Sequence, residues 1–178
     1  MVTGYTTGNL DGAHAGNTTD DAFAVQYDAA GNQRWIRQFG VPGVAGFITR
    51  YSVDGDAVWL KQFGTSASDE AWGLAADPAG GVYLTGYTAG DFSGALAGDK
   101  DIIVARVDGD GVLTWRDQLG TTGNDKGAAV AVDGSGNVYV AGFTDGAVET
   151  SIGKFDGVVT KYSPETHPHL DPSVRYDE

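Results

Sequence analysis

A repeat with a period of 56 residues constrains this chain more than any other feature of its sequence. The segment 80–90, GGVYLTGYTAG, recurs at 136–146 as GNVYVAGFTDG, and a third copy, VTGYTTG, occupies 2–8. Repetition at a fixed period of this length indicates tandem copies of one supersecondary unit, which buries its apolar surface against its neighbours.

A second pattern keeps its spacing within the repeat. The segments 21–27, 101–107 and 156–162 each begin with aspartate and continue as a run rich in apolar residues. In the first two, a tryptophan follows 14 positions after that aspartate, at Trp35 and Trp115. Such fixed spacing indicates that each repeat places its strands at the same positions.

The copy between about 69 and 120 predicts four short strands. They cover 71–76, 82–87, 102–107 and 112–119. The third is apolar on both faces, which predicts burial between neighbouring sheets. The turn from Asp108 to Gly111 places aspartate first and glycine where a hairpin needs a positive φ. With 28 glycines and few strong helix formers, the chain is expected to contain almost no helix.

Tandem four-stranded units of this length are typical of a β-propeller. We therefore predict an all-β fold of propeller-type repeats with four-stranded antiparallel blades. The 178 residues hold about three blades, whereas closed propellers have about four or more, so we expect an incomplete propeller: an open arc or a fragment of a larger one. The predicted organisation is a repeat region over 1–163, with partial units 1–40 and 41–64, a full unit 65–120 and a partial unit 121–163, followed by a disordered Pro- and His-containing tail over 164–178.

One interval breaks the period. Trp35 and Trp59 open near-identical motifs only 24 positions apart, whereas Trp59 and Trp115 are 56 apart. The residues 44–47 repeat the second strand of a later unit, and Phe47 also begins a match to the third strand. We interpret the short interval as an internal deletion that removed the first strand, most of the second and the loop after it.

The recurring motifs, taken in order, resemble the SBBP-type bacterial β-propeller repeat. They are W-x-x-Q-[FL]-G, a Gly-Asn or Gly-Gly pair before V-Y-[VL]-[TA]-G-[YF]-T-x-G, and an Asp-led strand ending in Y-D-x-x-G, and they cover roughly 2–163. The resemblance implies an extracellular or cell-surface prokaryotic protein, often large and multidomain. It implies no known catalytic residues.

Composition excludes several classes of function. The net charge of −13 and the absence of a Lys/Arg cluster in the sequence argue against nucleic acid as a partner. The chain has no cysteine, which excludes disulfides and thiolate chemistry. No segment approaches the roughly 20 apolar residues of a membrane span. The start of the chain lacks the features of an export signal, so we expect any such signal to lie outside it.

Two Asp-rich turns are candidates for a weak calcium site. Asp54 with Asp56, and Asp108 with Asp110, resemble the first half of a calcium-binding loop, where carboxylates alternate. Neither pair is followed by a suitably placed distal acid. We favour plain turn chemistry with no cofactor and keep Ca²⁺ as the alternative.

The loops between the second and third strands would line one rim of the propeller, where ligands usually bind. Their carboxylates include four candidate rim residues: Asp11, Asp20, Asp91 and Asp99. Solvated spacers are the favoured interpretation of these loops.

The repeated tryptophans and polar residues are better explained by the fold than by a ligand. Trp35, Trp59 and Trp115 recur at one repeat position, which favours packing between blades over a sugar-stacking platform. Trp72 has no such counterpart, since Ala128 aligns with it. The repeated residues Gln38, Gln62, Gln118, Asp21, Asp69, Asp101, Asp125 and Asp156 are predicted to bond or cap backbone.

These patterns predict a non-catalytic structural or adhesive module of a secreted or cell-surface prokaryotic protein. The first alternative is a calcium-dependent or lectin-like carbohydrate-binding propeller. The second is a propeller enzyme such as a polysaccharide lyase or glycosidase, which would need an unrepeated carboxylate such as Glu70 or Glu149. Expected partners are other propeller units or domains of the same or neighbouring chains, surface glycans, and further copies associating through open blade edges.

Overall fold

The computed structural model describes residues 2–6, 21–39, 46–147 and 154–163. These residues contain twelve strands and no helix. The strands are β1 (Val2–Thr6), β2 (Asp21–Tyr27), β3 (Gln33–Phe39), β4 (Gly46–Tyr51), β5 (Ala57–Phe63), β6 (Asp69–Ala76), β7 (Val82–Thr88), β8 (Asp101–Val107), β9 (Leu113–Leu119), β10 (Asp125–Val132), β11 (Val138–Thr144) and β12 (Asp156–Tyr162). The predicted all-β class is confirmed, and the four predicted strands of the full repeat lie within two residues of β6 to β9.

The strands form four open sheets that follow the chain in order. The sheet β6-β7-β8-β9 is a complete four-stranded antiparallel meander, the blade expected from the repeat. The sheets β1-β2-β3 and β10-β11-β12 are antiparallel meanders of three strands, and β4-β5 has two. The chain divides into a smaller compact unit, Met1–Gly43 with Phe47–Gln62, and a larger one, Val44–Gly46 with Phe63–Glu178.

The hairpin turns form as their sequence predicts. Oδ1 of Asp108 accepts hydrogen bonds from the backbone N–H groups of Asp110 and Val112 at 3.0 and 2.8 Å. Gly111 has a φ of 80°, a backbone conformation that residues other than glycine rarely adopt. The turns that begin at Asp28 and Asp133 repeat this arrangement. Local chemistry therefore defines the strand ends.

The core of the larger unit lies between its two sheets. Ile103 and Val104 of β8 are completely buried, so the strand predicted to be apolar on both faces is covered on both. The buried cluster comprises Tyr83, Ile102, Val104, Val138, Val140 and Tyr162. β10 packs along β6, β7 and β8, and it thereby joins the two sheets into one core.

The repeated tryptophans pack where the repeat predicts. Trp35 is buried, and its ring centroid lies 5.1 Å from that of Tyr51, which joins β3 to the β4-β5 sheet within the smaller unit. Trp115 of β9 contacts Tyr83 and Tyr162 at centroid distances of 6.4 and 5.2 Å. The interpretation of these tryptophans as packing between blades is confirmed for Trp35 and Trp115.

The irregular interval contains a two-stranded sheet. The residues that match the third strand of other repeats form β4, and the following Trp59 motif forms β5. β4 and β5 thus correspond to the last two strands of a blade. Residues 40–45, which precede them, lie outside the described residues.

Among the described residues, no helix has the length and apolar character needed to cross a bilayer.

Candidate functional site

The repeated aspartates of the larger unit hold its loops. Asp69 accepts the backbone N–H of Thr65 at 2.6 Å, and Asp125 accepts that of Thr121 at 2.7 Å. Each aspartate also accepts its threonine hydroxyl, and both are almost completely buried. The capping role predicted for Asp69 and Asp125 is confirmed. Their carboxylates form hydrogen bonds with backbone and hydroxyl groups of the loops before them.

Asp101 and Gln118 close the long loop between β7 and β8. Oδ2 of Asp101 accepts the backbone N–H of Ala97 at 3.0 Å and Nε2 of Gln118 at 2.8 Å. Oε1 of Gln118 in turn accepts the N–H of Phe92 at 2.6 Å. The predicted backbone-bonding role of Gln118 is therefore confirmed. The side chains of Asp21 and Gln38 lie outside the described residues.

The calcium candidates lie in two separate turns. Asp54, Asp56 and Asp110 are exposed, and Oδ1 of Asp108 already accepts two amides of its own turn. Within the described ranges, no three His, Asp or Glu side chains come together as a group that could hold a metal ion. Calcium binding stays a prediction for solution experiments.

The described rim candidates, Asp91 and Asp99, lie in the loop between β7 and β8. Asp91 is exposed, and its Oδ1 accepts the N–H of Leu96 at 3.0 Å within the same loop. Asp99 is exposed, and its N–H donates to the carbonyl oxygen of Gly123 at 3.0 Å. Asp11 and Asp20 lie outside the described residues. A ligand role of this rim therefore also stays a prediction.

A different group of side chains, aromatic and basic, comes together in the larger unit. We call it the aromatic–lysine patch. Its members are Glu70, Trp72, Tyr87, Lys100, Lys126, Phe143, Lys154 and Phe155, which come from β6, β7, β10, β11 and the loops that precede β8 and β12. Sequence reasoning singled out Trp72 and Glu70 separately and missed the patch.

A β-bulge displays Trp72. Ala71 pairs with Gly86 and Gly73 pairs with Thr85, so Trp72 is the extra residue of β6. A bulge at the corresponding place in β10 leaves Ala128 as the extra residue. Bulges re-aim a side chain and are common beside functional sites. The bulge belongs to the repeat, but the indole belongs to this copy alone, and it is 44% exposed.

Glu70 holds two aromatic side chains together. Its Oε1 accepts the Tyr87 hydroxyl at 2.5 Å, and its Oε2 accepts Nε1–H of Trp72 at 2.8 Å. Partial burial raises the pKa of Glu70, but these two hydrogen bonds and the charges of Lys100 and Lys126 outweigh it, so the net pKa lies below the ordinary value of 4.5. Burial and the bond to Glu70 raise the pKa of Tyr87. The carboxylate is thus ionised and the phenol protonated at neutral pH.

The four aromatic rings of the patch form a continuous row. Trp72 meets Tyr87 edge to face at a centroid distance of 5.7 Å and lies tilted by 33° against Phe143 at 6.3 Å. Phe143 meets Phe155 edge to face at 5.9 Å. Trp72 and Phe155, on either side of Phe143 in this row, are the exposed members, at 44% and 57%.

Lysine ammonium groups lie over the rings of this row. Nζ of Lys126 is 5.2 Å from the Trp72 ring centroid and 5.0 Å from that of Tyr87. Nζ of Lys100 lies 4.1 Å from the Tyr87 centroid, and Nζ of Lys154 lies 6.0 Å from that of Phe155. These are cation–π distances, at which the ring quadrupole attracts the charge.

The patch uses equivalent positions of adjacent repeats but fills them with different residues. Glu70 aligns with Lys126, and Trp72 aligns with Ala128. Lys100 precedes the aspartate of its third strand, where Phe155 stands in the next repeat. This mismatch at matched positions is the sequence signal that could have identified the patch.

Comparison with known proteins identifies the repeat. A search of curated proteins finds no match to the chain. Two segments, 58–93 and 114–148, match the family model described as SBBP, a beta-propeller repeat. They begin 56 residues apart, and each runs from the last strand of one sheet into the first two strands of the next. The chain therefore contains two segments that match the SBBP β-propeller repeat, which is a structural repeat and not a known family of enzymes.

Proposed function

We propose that this chain is a non-catalytic adhesive module of a secreted or cell-surface prokaryotic protein, and that the aromatic–lysine patch is its contact surface. The observation that carries the proposal is the exposed Trp72 on a bulge of an otherwise repeated framework. Large aromatic side chains are the residues that most often anchor an interface, because they bury much area with little loss of conformational freedom.

The surroundings of Glu70 support a non-catalytic role. A glycosidase needs a pair of carboxyl groups, one of which is protonated to act as an acid. Glu70 has a lowered pKa, and the charged neighbours that contribute to this shift are lysines. Both of its oxygens accept hydrogen bonds from the aromatic row. Glu70 therefore positions Trp72 and Tyr87. Glu149, the other unrepeated candidate, lies outside the described residues.

The proposed location and partners rest on the SBBP resemblance, the composition of the chain and its open sheets. The SBBP resemblance supports a position outside the cell, and an acidic chain without cysteine is compatible with it. Open sheets leave unpaired strand edges, which are surfaces for pairing with further strands. Other propeller units, from the same chain, neighbouring chains or further copies, are the partners that we propose for those edges.

Removing the exposed indole of Trp72 tests directly whether the aromatic–lysine patch is the contact surface. We expect Trp72→Ala to weaken binding of the chain to its targets on an array of glycans and peptides by at least about tenfold, because an interface anchor is worth more than about 1.4 kcal/mol. The matched control is Val112→Ala, which also removes an exposed apolar side chain of the larger unit but lies outside the patch. Equal binding by the wild type and both variants would rule out the patch as the contact surface.

Calcium is expected to be dispensable for folding. Oδ1 of Asp108 already accepts hydrogen bonds from two backbone amides of its own turn, so the turn does not need a cation to form. We expect the thermal unfolding midpoint in about 5 mM CaCl₂, well above the roughly millimolar affinities of weak extracellular sites, to equal that in EDTA or in MgCl₂ of the same ionic strength. A saturable rise in the midpoint that disappears in Asp108→Ala would restore the calcium-dependent alternative.

A further inference from the structure

We propose that the aromatic–lysine patch binds an anionic polysaccharide, in which a pyranose ring stacks on Trp72 while its carboxylate pairs with Lys100 and Lys126. This inference rests on the proposed adhesive function and specifies the ligand class of the same surface. Its support comes from the charge of the patch, the state of its lysines and the shape of its rings.

The charge of the patch is opposite to that of the chain. The sequence has 24 acidic and 11 basic residues, yet the patch holds three of its five lysines. Acidic neighbours of the patch are Glu70, within it, Asp145, whose pKa is lowered chiefly by hydrogen bonds from Asn124 and in part by the charge of Lys126, and Asp69, whose charge helps to raise the pKa of Tyr87. Asp99 and Asp101 flank Lys100 in the sequence. The patch members themselves carry three positive charges and one negative charge, which favours a ligand of spaced, modest negative charge, whereas the acidic chain as a whole repels a dense polyanion such as nucleic acid.

The ammonium groups of Lys100 and Lys126 can bind a ligand. Both oxygens of Glu70 accept hydrogen bonds from Trp72 and Tyr87. Arg106 and Asp77 form an ion pair at 2.6 Å, and in the described part of the chain no such pair engages Lys100 or Lys126. An ammonium group has three donors, and a ring face engages it from one side only. A ligand carboxylate can therefore accept charge-assisted hydrogen bonds from either lysine.

The rings favour a sugar over an acidic peptide. A pyranose presents a flat face of C–H groups, which packs on an aromatic ring and removes apolar surface of both from water. Trp72 and Phe155 offer two such exposed surfaces, on either side of Phe143. A peptide rich in acidic side chains would match the charge but would leave these flat apolar surfaces less well covered.

The test separates charge from stacking with one pair of probes. Polygalacturonate and its fully methyl-esterified form share the same ring backbone and differ in the carboxylate charge. In EDTA at low ionic strength, we expect the full chain to bind polygalacturonate at least about tenfold more tightly than the ester, with the difference shrinking as salt screens the charge. The double variant Lys100→Gln/Lys126→Gln is expected to lose this tenfold preference for polygalacturonate over its ester.

Controls distinguish the inference from a general charge effect. Lys161→Gln removes a lysine that lies 5.5 Å from the Tyr139 ring, outside the patch, and is expected to bind both probes as the wild type does. Trp72→Ala is expected to weaken binding of both probes. Circular dichroism of each variant checks that the fold is unchanged.

The three contrary results would overturn the ligand inference alone or together with the adhesive function. Equal, Trp72-dependent binding of both probes would overturn the anionic specificity and leave the adhesive function standing. Binding of polyglutamate through the same lysines, with neither polysaccharide bound, would overturn the inference in favour of an acidic protein partner. No binding by the patch to either probe, to polyglutamate or to any arrayed glycan or peptide would overturn both the inference and the proposed function.

Discussion

Gly86→Ala is expected to lower the free energy of unfolding of the larger unit by about 3 kcal/mol or more, a large part of the roughly 5–15 kcal/mol that stabilises a domain. Gly86 lies in β7, paired with Ala71 on one side and Ile103 on the other. A Cβ atom at this position would lie 2.8 Å from the carbonyl carbon of Glu70, 2.9 Å from Cα of Ala71, and closer still to the Glu70 carbonyl oxygen. These are backbone atoms, so relief requires β6 and β7 to separate.

The measurement is urea unfolding followed by circular dichroism, with a second glycine as the control. Gly157 lies in β12, and a Cβ atom there would have no neighbour within 4 Å. Gly157→Ala is therefore expected to change stability by less than about 1 kcal/mol, with a gain from the lower entropy of the unfolded chain. Similar midpoints for the two variants would show that β6 and β7 are not packed as closely as described. Because the steric clash falls on Glu70, Gly86→Ala is also expected to disturb the patch.

Asp125→Ala is expected to destabilise the chain by about 2–4 kcal/mol, because it leaves buried donors without an acceptor. Asp125 is 2% exposed, and its carboxylate accepts both the backbone N–H and the hydroxyl of Thr121. The hydroxyl of Thr121 also lies 3.1 Å from that of Thr144, so the disturbance of hydrogen bonding is expected to reach the end of β11. Asp125→Asn is expected to cost less, because its amide oxygen can still accept one of these hydrogen bonds.

Asp110→Ala provides the comparison for Asp125→Ala. Asp110 is exposed in the β8-β9 turn, where the carboxylate of Asp108 makes the capping bonds. Removing its side chain is expected to change stability by less than about 0.5 kcal/mol. Thermal melts and urea titrations of both variants measure the difference. Equal loss in the two would show that net charge, rather than buried capping, governs stability.

Sequence patterns predicted the strands well because their signals are local. Alternation and turn residues predicted a strand over 82–87, and β7 spans Val82–Thr88. The turn after β8 follows from Asp108 and Gly111, which carry their own hydrogen bonds and φ preference within a few residues. The repeated aspartates were likewise predictable as caps, because the residues that they bond lie four positions away along the chain.

The patch was not predictable from local signals. Trp72 and Glu70 looked like two unrepeated residues near the start of one strand. Their partners Lys126 and Phe143 lie more than 50 positions later in the sequence, and Phe155 joins the row only through Phe143. No helical or strand periodicity connects residues so far apart, and the bulge that displays the indole leaves no distinctive residue type at its position.

By itself, then, the sequence determined the β class, the four-stranded repeat, its turns and its capping aspartates, since each depends on hydrogen bonds and burial patterns within one repeat. Only the tertiary structure decided where the aromatic–lysine patch forms. A Cβ on Gly73 would lie 3.1 Å from Cα of Ala129, which shows how closely β10 approaches β6 beside the bulge. That approach brings Lys126 over Trp72 and combines unmatched residues of two repeats into one aromatic–lysine patch.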